Sequence, residues 1–428
     1  MTDAQPVVYF RPQENWKLLD GDGTPLSTIT INPSRERRGL FGRPVDDLAA
    51  PLTRGRRHAE KYTQSLAAIL LPFFWEFQNY YHSTEGGGVA ACLPSSRSTF
   101  QCPSRYRANR IGFTPWVTVL WWLQSQGFLV KVAGGCKGKE HFQGLTAAYK
   151  QTAQLQEWFR DHYEALGPDH LDTRYEPIHL KDREKVLIDY VDNEHTEGLR
   201  KQIDSINEAI RNHSFEIPIG KGYARVHSSE LELTRNFRED FQSGGRLSCP
   251  LQRLSKKDRG LLRINGKGVV ELDYKSHQAR MLYHLNGKTP PLDCYEHPSI
   301  PRPLMKEATI RVMNCKSELQ TLGALRKLLR DEPETDDLPT GPELLEAVWE
   351  SHPLIRQTME DPLWEKLHYL ESSIAVNIME KLTAKGKPCL GIHDSFVVEE
   401  NDRDLLRALM VDEYRKVMGG HYPVVSEA

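Results

Sequence analysis

Two apolar runs of β-type sequence each end in an aspartate, and this pairing constrains the fold more than any other feature of the chain. Residues 269 to 272 read Val-Val-Glu-Leu and lead into Asp273 and Tyr274. Residues 388 to 392 and 396 to 398 are strand-like arms on either side of His393, Asp394 and Ser395. The second segment therefore reads as a hairpin with Asp394 at its tip. A strand is held by its ladder, so a carboxylate at its end is fixed by rigid main chain yet exposed at an edge. One such aspartate is ordinary. Two, joined by a helical insertion, could share a pair of divalent cations and drive an in-line displacement at phosphorus.

Charge near these segments points the same way. The net charge is −2, so the chain as a whole does not advertise a polyanion partner. Between Gly245 and Lys267, however, Arg246, Arg253, Lys256, Lys257, Arg259, Arg263 and Lys267 face a single anion, Asp258. An electrostatic footprint need only be local, and this stretch leads into Asp273. A second basic stretch holds Arg35, Arg37, Arg38, Arg43, Arg54, Arg56 and Arg57. Either stretch can also be a solvated face. Further on, Arg302 and Lys306 stand four apart, one turn from each other on a helix face, a spacing suited to adjacent phosphates.

The N-terminal part reads differently. Residues 1 to 60 are rich in Pro, Gly and Arg and read as an extended basic arm. From Glu60 the pattern is helical, with Leu66, Ile69, Leu70, Phe73, Phe74 and Phe77 on one face. Thr114-Pro115 starts a second helix through Val119, Leu120 and Leu123. A strand from Phe128 to Val132, a Gly/Lys-rich turn to Lys139 and a return strand near residues 142 to 145 follow. Helix, strand, basic turn, strand is the order of a winged helix, and equally of a helix packed on any hairpin. Arg105, Arg107, Arg110, Lys131, Lys137 and Lys139 flank this unit as candidate phosphate contacts, and Trp116, Trp121 and Trp122 are expected to fill its core. Leu199, Ile203, Ile206 and Ile210 form a heptad-like stripe.

With 39% hydrophobic and 27% charged residues, the composition is that of a globular protein. No run reaches the ~18 apolar residues of a membrane span, and the first residues lack the layout of a signal peptide, so a cytoplasmic protein is expected. The seven cysteines are odd in number and contain no C-x-x-C pair, which speaks against a disulfide framework or a zinc site.

Four elements together carry a resemblance. Asp273-Tyr274, with Arg280, Leu282, His284 and Leu285, resembles motif A of family A DNA polymerases, and Ile392-His393-Asp394 with Glu399 resembles motif C. Gly245-Arg246-Leu247-Ser248, Leu251-Gln252 and Arg263 are similar to the elements preceding motif A, and Arg302 and Lys306 to the fingers helix, motif B. The resemblance covers about residues 240 to 428. It implies an α+β right-hand polymerase with an antiparallel palm sheet, short helical fingers and a helical thumb. The segments expected are a 1–60 basic arm, a 61–165 helical or winged-helix-like domain, 166–240 linker and thumb helices, and a 241–428 palm and fingers domain.

The same resemblance implies two Mg2+ ions, with Mn2+ as a substitute, at the metal positions Asp273, Tyr274 and Asp394. Asp273 and Asp394 would be the catalytic residues. Arg302, Lys306 and Gln278 would meet the nucleotide, and Arg246, Gln252 and His393 the primer-template. The implied partners are a DNA primer-template and dNTPs, with NTPs as a second substrate class, and the expected state is a monomer. Asn314 and Cys315 stand where the family has a tyrosine and a glycine, Gln278 where it has a glutamate that gates the sugar. Ser395 follows Asp394 as in phage-type single-subunit RNA polymerases. The leading expectation is a compact DNA polymerase lacking proofreading. A primase or RNA polymerase is the alternative among enzymes, and a non-catalytic DNA-binding replication protein the alternative outside them.

Overall fold

The computed structural model describes residues 7–8, 13–19, 25–33, 36–82, 89–134, 146–170, 175–219, 222–226, 230–315, 317–331, 338–357 and 363–427. The chain is a mixed α+β protein of two compact units, Val8–Glu176 and Pro177–Ala428, the latter including Met1–Val7. Among the described residues no helix is long and apolar enough to cross a membrane.

In the first unit, strands β1 (Gln13–Leu19), β2 (Pro25–Thr30) and β3 (Arg38–Phe41) precede helices α1 (Arg43–Thr53) and α2 (Glu60–His82). Strand β4 (Ala90–Cys92), helix α3 (Phe113–Ser125), strands β5 (Leu129–Ala133) and β6 (Ala148–Gln151), helix α4 (Ala153–His162) and strand β7 (Gly167–His170) complete it. The expected apolar face of α2 is buried from Leu66 to Phe77. Two expectations change here. Residues 38 to 53 are ordered structure and not an arm, because Pro44 starts a helix whose Val45, Ala49 and Leu52 repeat at helical spacing and are buried. The hairpin after α3 is no free wing either, since β5 and β6 form the edge of a five-stranded sheet in the order β1-β2-β4-β6-β5. The return strand is Ala148–Gln151; the turn with Lys137 and Lys139, and residues 142 to 145, lie outside the described residues.

The second unit opens with β8 (Ile178–Lys181), α5 (Glu194–Arg211), β9 (Phe215–Ile219), β10 (Gly222–Val226), β11 (Thr234–Arg238) and β12 (Asp240–Ser248). The stripe Leu199, Ile203, Ile206, Ile210 is the buried face of α5. Then come β13 (Arg263–Ile264), β14 (Lys267–Tyr274), α6 (His277–Leu285), α7 (Arg302–Met313), α8 (Glu318–Asp331), α9 (Gly341–Ser351) and α10 (Leu363–Thr383). Strands β15 (Leu390–Ile392) and β16 (Ser395–Glu399), helix α11 (Arg403–Val417) and strand β17 (Val425–Glu427) end the chain.

The main sheet runs β10-β9-β13-β14-β16-β15 with antiparallel neighbours, and β17 joins β14. Two tight turns set its register. Asn265 and Gly266 (φ 53° and 76°) close β13 onto β14, the left-handed pair that a two-residue hairpin favours. His393 and Asp394 close β15 onto β16, with Ile392 opposite Ser395. Leu272, Phe396, Val397 and Val398 are fully buried beneath these strands. Each such side chain contributes about 1.5–3 kcal/mol of burial, which anchors both aspartate-bearing ends. Helix α10 lies against β12, α11 and α5.

Candidate active site

The sheet register brings the two aspartates together. Asp273 pairs across the ladder with Ser395, the residue after Asp394, and the Tyr274 amide donates to the Asp394 carbonyl at 3.2 Å. Both carboxyl groups are pushed up from the ordinary aspartate range, Asp273 to about 6 and Asp394 to about 7. Burial is the main cause for each. Glu271 adds to it at Asp273, and Asp273 and Glu371 add to it at Asp394. Lys306 and Lys256 pull Asp273 back down, and Arg246 acts so on Asp394.

Two further carboxylates surround the pair, and these are fully neutralised. Arg259 grips Glu271 with two hydrogen bonds of 2.9 and 2.8 Å, and Ser395 Oγ donates to the same carboxylate at 2.6 Å. Arg246 grips Glu371 at 2.8 and 3.1 Å, and Gln278 Nε2 donates to Glu371 Oε2 at 2.9 Å. Burial works to raise Glu371, but the Arg246 charge and hydrogen bonds outweigh it and hold the group below the usual carboxylate range. The result is a sorted cluster. Two glutamates have cationic partners, and among the described residues neither aspartate has one.

Backbone strain marks both loops. His393 sits at φ 59° and Ser276, at the start of α6, at φ 52° and ψ 40°. Left-handed geometry costs a non-glycine residue about 1 kcal/mol or more, and such residues cluster at functional sites. Gly244 and Gly245 (φ 75° and 74°) bend β12 where its register with β11 shifts, and this bend delivers Arg246 to Glu371. Glycine is required at 245 on packing grounds too, since a Cβ there would lie 2.9 Å from Ser372 Oγ.

The other candidate residues take varied positions. Lys306 is exposed on α7 and its charge is felt by Asp273. Arg302, one turn away, is held by Asp293 at 2.5 and 3.2 Å and is stacked 5.7 Å from the Tyr295 ring centre. Gln252 donates to the Gly391 carbonyl at 2.9 Å, so it braces the hairpin that carries His393. His393 itself is exposed at the tip; the surrounding protein, then Arg246, lowers its pKa. The Tyr274 side chain is buried and donates to the Met410 carbonyl at 2.6 Å, which leaves only its main-chain carbonyl as a donor toward an ion.

Much of the basic stretch before Asp273 is internal wiring. Arg246, Arg259 and Lys267 pair with Glu371, Glu271 and Glu399, and Arg263 stacks 3.9 Å over Tyr223. In the first unit Arg105 pairs with Glu176 at 3.4 Å, while Arg107, Arg110 and Lys131 are exposed. Trp116 is buried and Trp122 half-buried, but Trp121 is 63% exposed and so does not fill the core.

Glu271 and Glu371 escaped the sequence reading. Strand alternation could have found Glu271, since it lies two residues before Asp273 and therefore on the same face. Glu371 gave no local cue, since its helix also carries Glu365, Lys366, Glu380 and Lys381.

The donor set suits a hard divalent cation. Two adjoining carboxylates raised chiefly by burial, with neighbouring acids adding to it, gain from a cation between them, and Mg2+ commonly takes one or two protein carboxylates and fills its octahedron from water and phosphate. Among the described residues no group of three or more His, Cys, Asp or Glu is placed to hold a metal ion.

Comparison with known proteins adds little. No protein-family model matches the chain, and no curated protein matches it. Among solved structures, the POL domain of Pol1 from M. smegmatis, in complex with DNA primer-template and dNTP, matches at 16% identity and a TM-score of 0.29. The match covers 55% of this chain and 51% of that one, about half its length. Similarity of that size establishes neither a family nor an activity.

Proposed function

We propose that residues 241–428, within the unit 177–428, are the palm and fingers of a template-directed nucleotidyltransferase that extends a DNA primer with dNTPs. The observation that carries this reading is the sorted carboxylate cluster. A purely structural pair would be expected to acquire partners like those of Glu271 and Glu371, whereas Asp273 and Asp394 remain strained at the ends of adjoining strands and, among the described residues, in no ion pair, with Lys306, Lys256 and Arg246 acting on them only through space. The same observation speaks against a silent DNA-binding remnant, which has no reason to retain that strain.

In this reading Asp273 and Asp394 hold two Mg2+ ions, with the Tyr274 carbonyl available as a further donor. When bound, the ions supply Lewis acidity that activates the primer 3′-hydroxyl and neutralises the leaving pyrophosphate. Lys306 meets the triphosphate as a free cation, whereas Arg302 must leave Asp293 to do so. His393, its pKa lowered by its surroundings, lies beside the primer terminus, and Arg246 borders it from β12. The rigid hairpins hold the carboxylates in place, so little reorganisation is needed as charge develops.

Primer extension on a defined template tests the reading, with dNTPs and NTPs in parallel, with and without primer, and with EDTA as control. Metal-dependent, template-matched products are expected; their absence under all conditions sinks the proposal. Lys306→Ala should raise the nucleotide KM about tenfold, the loss of one charge-assisted contact, and Arg302→Ala less, because its charge is already spent on Asp293. Steady-state kinetics at varied nucleotide decide it, and a larger effect at Arg302 would reverse the assignment. A second reading, synthesis of RNA or of RNA primers, is favoured by Gln278 and Ser395.

A further inference from the structure

Helix α3 carries three tryptophans, and packing accounts for two of them. Trp116 is fully buried and its indole nitrogen donates to the Pro94 carbonyl at 2.8 Å, while Trp122 is half-buried with its ring 6.3 Å from that of Phe128. Trp121 has no such setting. It is 63% exposed, and no ring contact or hydrogen bond to another described residue holds it. A single exposed apolar side chain is ordinary on a protein surface, so its surroundings decide what it means.

At 3.6 residues per turn, Thr114, Thr118, Trp121 and Ser125 fall on one stripe of α3. That stripe faces solvent, with Thr114, Trp121 and Ser125 exposed and Thr118 half-buried, whereas Trp116, Val117, Val119, Leu120 and Leu123 are buried. The indole therefore stands among hydroxyl groups and belongs to no broad apolar patch of the kind a folded protein partner covers. Cations border it. Arg97, exposed, lies 5.0 Å over the ring of Phe113, the first residue of α3, and Lys131 is exposed on β5, which packs against that helix. Residues 86–139 hold seven lysines and arginines and no aspartate or glutamate, although the same unit has acids on α1 and α4, among them Asp46, Asp47, Glu157 and Asp161. Such a stretch is complementary to a polyanion. The exposed ring says which kind: bases in a duplex stack on one another and offer only their edges, whereas an unpaired base offers a face.

We propose that the exposed stripe of α3 binds single-stranded nucleic acid, with an unpaired base stacked on the Trp121 indole and the flanking phosphates held by exposed cations of the acid-free segment, Arg97 and Lys131 among them. The site lies wholly within the unit Val8–Glu176 and stands apart from the nucleotidyltransferase reading of residues 241–428. It gives the indole a role that core packing does not.

The test is fluorescence anisotropy of the full chain with a labelled oligodeoxythymidylate, in EDTA and without nucleotide, so that binding is read without chemistry. Trp121→Ala should raise the Kd about tenfold, the loss of one base stacked on the indole, while Trp121→Phe keeps an aromatic face and should stay within about threefold of wild type. Thermal melting shows that the variants are folded. Lys131→Ala should flatten the slope of log Kd against log salt by about 0.7, the counterion released by one phosphate of a single strand. A strand carrying bromodeoxyuridine should photo-cross-link to the peptide that contains Trp121. An unchanged Kd in Trp121→Ala, a loss in Trp121→Phe as large as that in Trp121→Ala, or cross-links confined to residues 177–428 would overturn the proposal. A hairpin duplex that binds as tightly as the single strand, and depends on Trp121 to the same degree, would overturn it as well.

Discussion

Asp273→Asn and Asp394→Asn should each reduce nucleotide incorporation by ~10³-fold or more, about 4 kcal/mol of lost transition-state stabilisation, while making the metal-free protein more stable at pH 8. The first effect follows if each carboxylate binds the cations that neutralise the developing charge. The second follows from linkage. Folded-state values of about 6 and 7 lie above the ordinary aspartate value of 3.8, so the folded chain holds protons that the unfolded chain has lost. This stabilising contribution is complete below about pH 4 and disappears as pH rises through 6 to 7. Above that window the ionised pair strains the fold. Asparagine has no such charge, so Asp394→Asn should gain on the order of 2 kcal/mol at pH 8, after allowance for the solvent that reaches the site, and the gain should shrink toward pH 5. Melting curves at the two pH values, with and without Mg2+, measure it. Mg2+ should raise the wild-type Tm and leave Asp394→Asn nearly unmoved. A variant with wild-type incorporation, or one that melts below wild type at pH 8 without metal, would remove the two-carboxylate assignment.

That combination of lost activity and gained stability is what distinguishes a functional pair from a structural one. It also indicates which parts of this protein sequence alone could reveal. The strands around Asp273 and Asp394 were legible because β-branched runs and a two-residue turn are local signals. Helices α2 and α5 were legible because burial imposes a period on their sequence. The helix at Arg43–Thr53 was masked by two prolines and flanking arginines, although its buried positions keep helical spacing. The five-stranded sheet of the first unit was illegible for a different reason. Its pairings join segments as distant as Pro25–Thr30 and Ala90–Cys92, and nothing in either strand names its neighbour. In the candidate site the same limit applied to charge. Asp273 and Asp394 stood out by position, but their setting depends on Arg259 with Glu271 and Arg246 with Glu371, and the second pair spans 125 residues. A basic stretch that reads as a nucleic-acid footprint is in good part the counter-charge of these buried acids.

Arg246→Ala should therefore do more than weaken a primer contact: it should destabilise the unit by about 3–5 kcal/mol, because it strands an ionised carboxylate in the interior. Glu371 is 2% exposed, whereas Arg246 is 35% exposed, so the two partners are not equivalent. Removing the glutamate leaves a guanidinium that water can still reach, and the milder variant Glu371→Gln should cost much less. Removing the arginine leaves Glu371 with the Gln278 amide as its one side-chain hydrogen-bond partner among the described residues, against a burial cost that Arg246 now offsets. Glu371 would then protonate, or water would enter and loosen α10 against β12, and either change reaches Asp394 through the charge they share. The double variant Arg246→Ala/Glu371→Gln should recover most of the lost stability, because a neutral amide can stay buried where a lone charge cannot. It should not recover extension from the primer end. Denaturant melts of the four proteins give the coupling energy, and primer titrations of the two folded arginine variants give the affinity. If Arg246→Ala melts like wild type and loses only primer affinity, the pair is held no more tightly than an ordinary surface ion pair. If stability and primer affinity return together in the double variant, Arg246 has no contact with the primer, and its whole effect passes through Glu371.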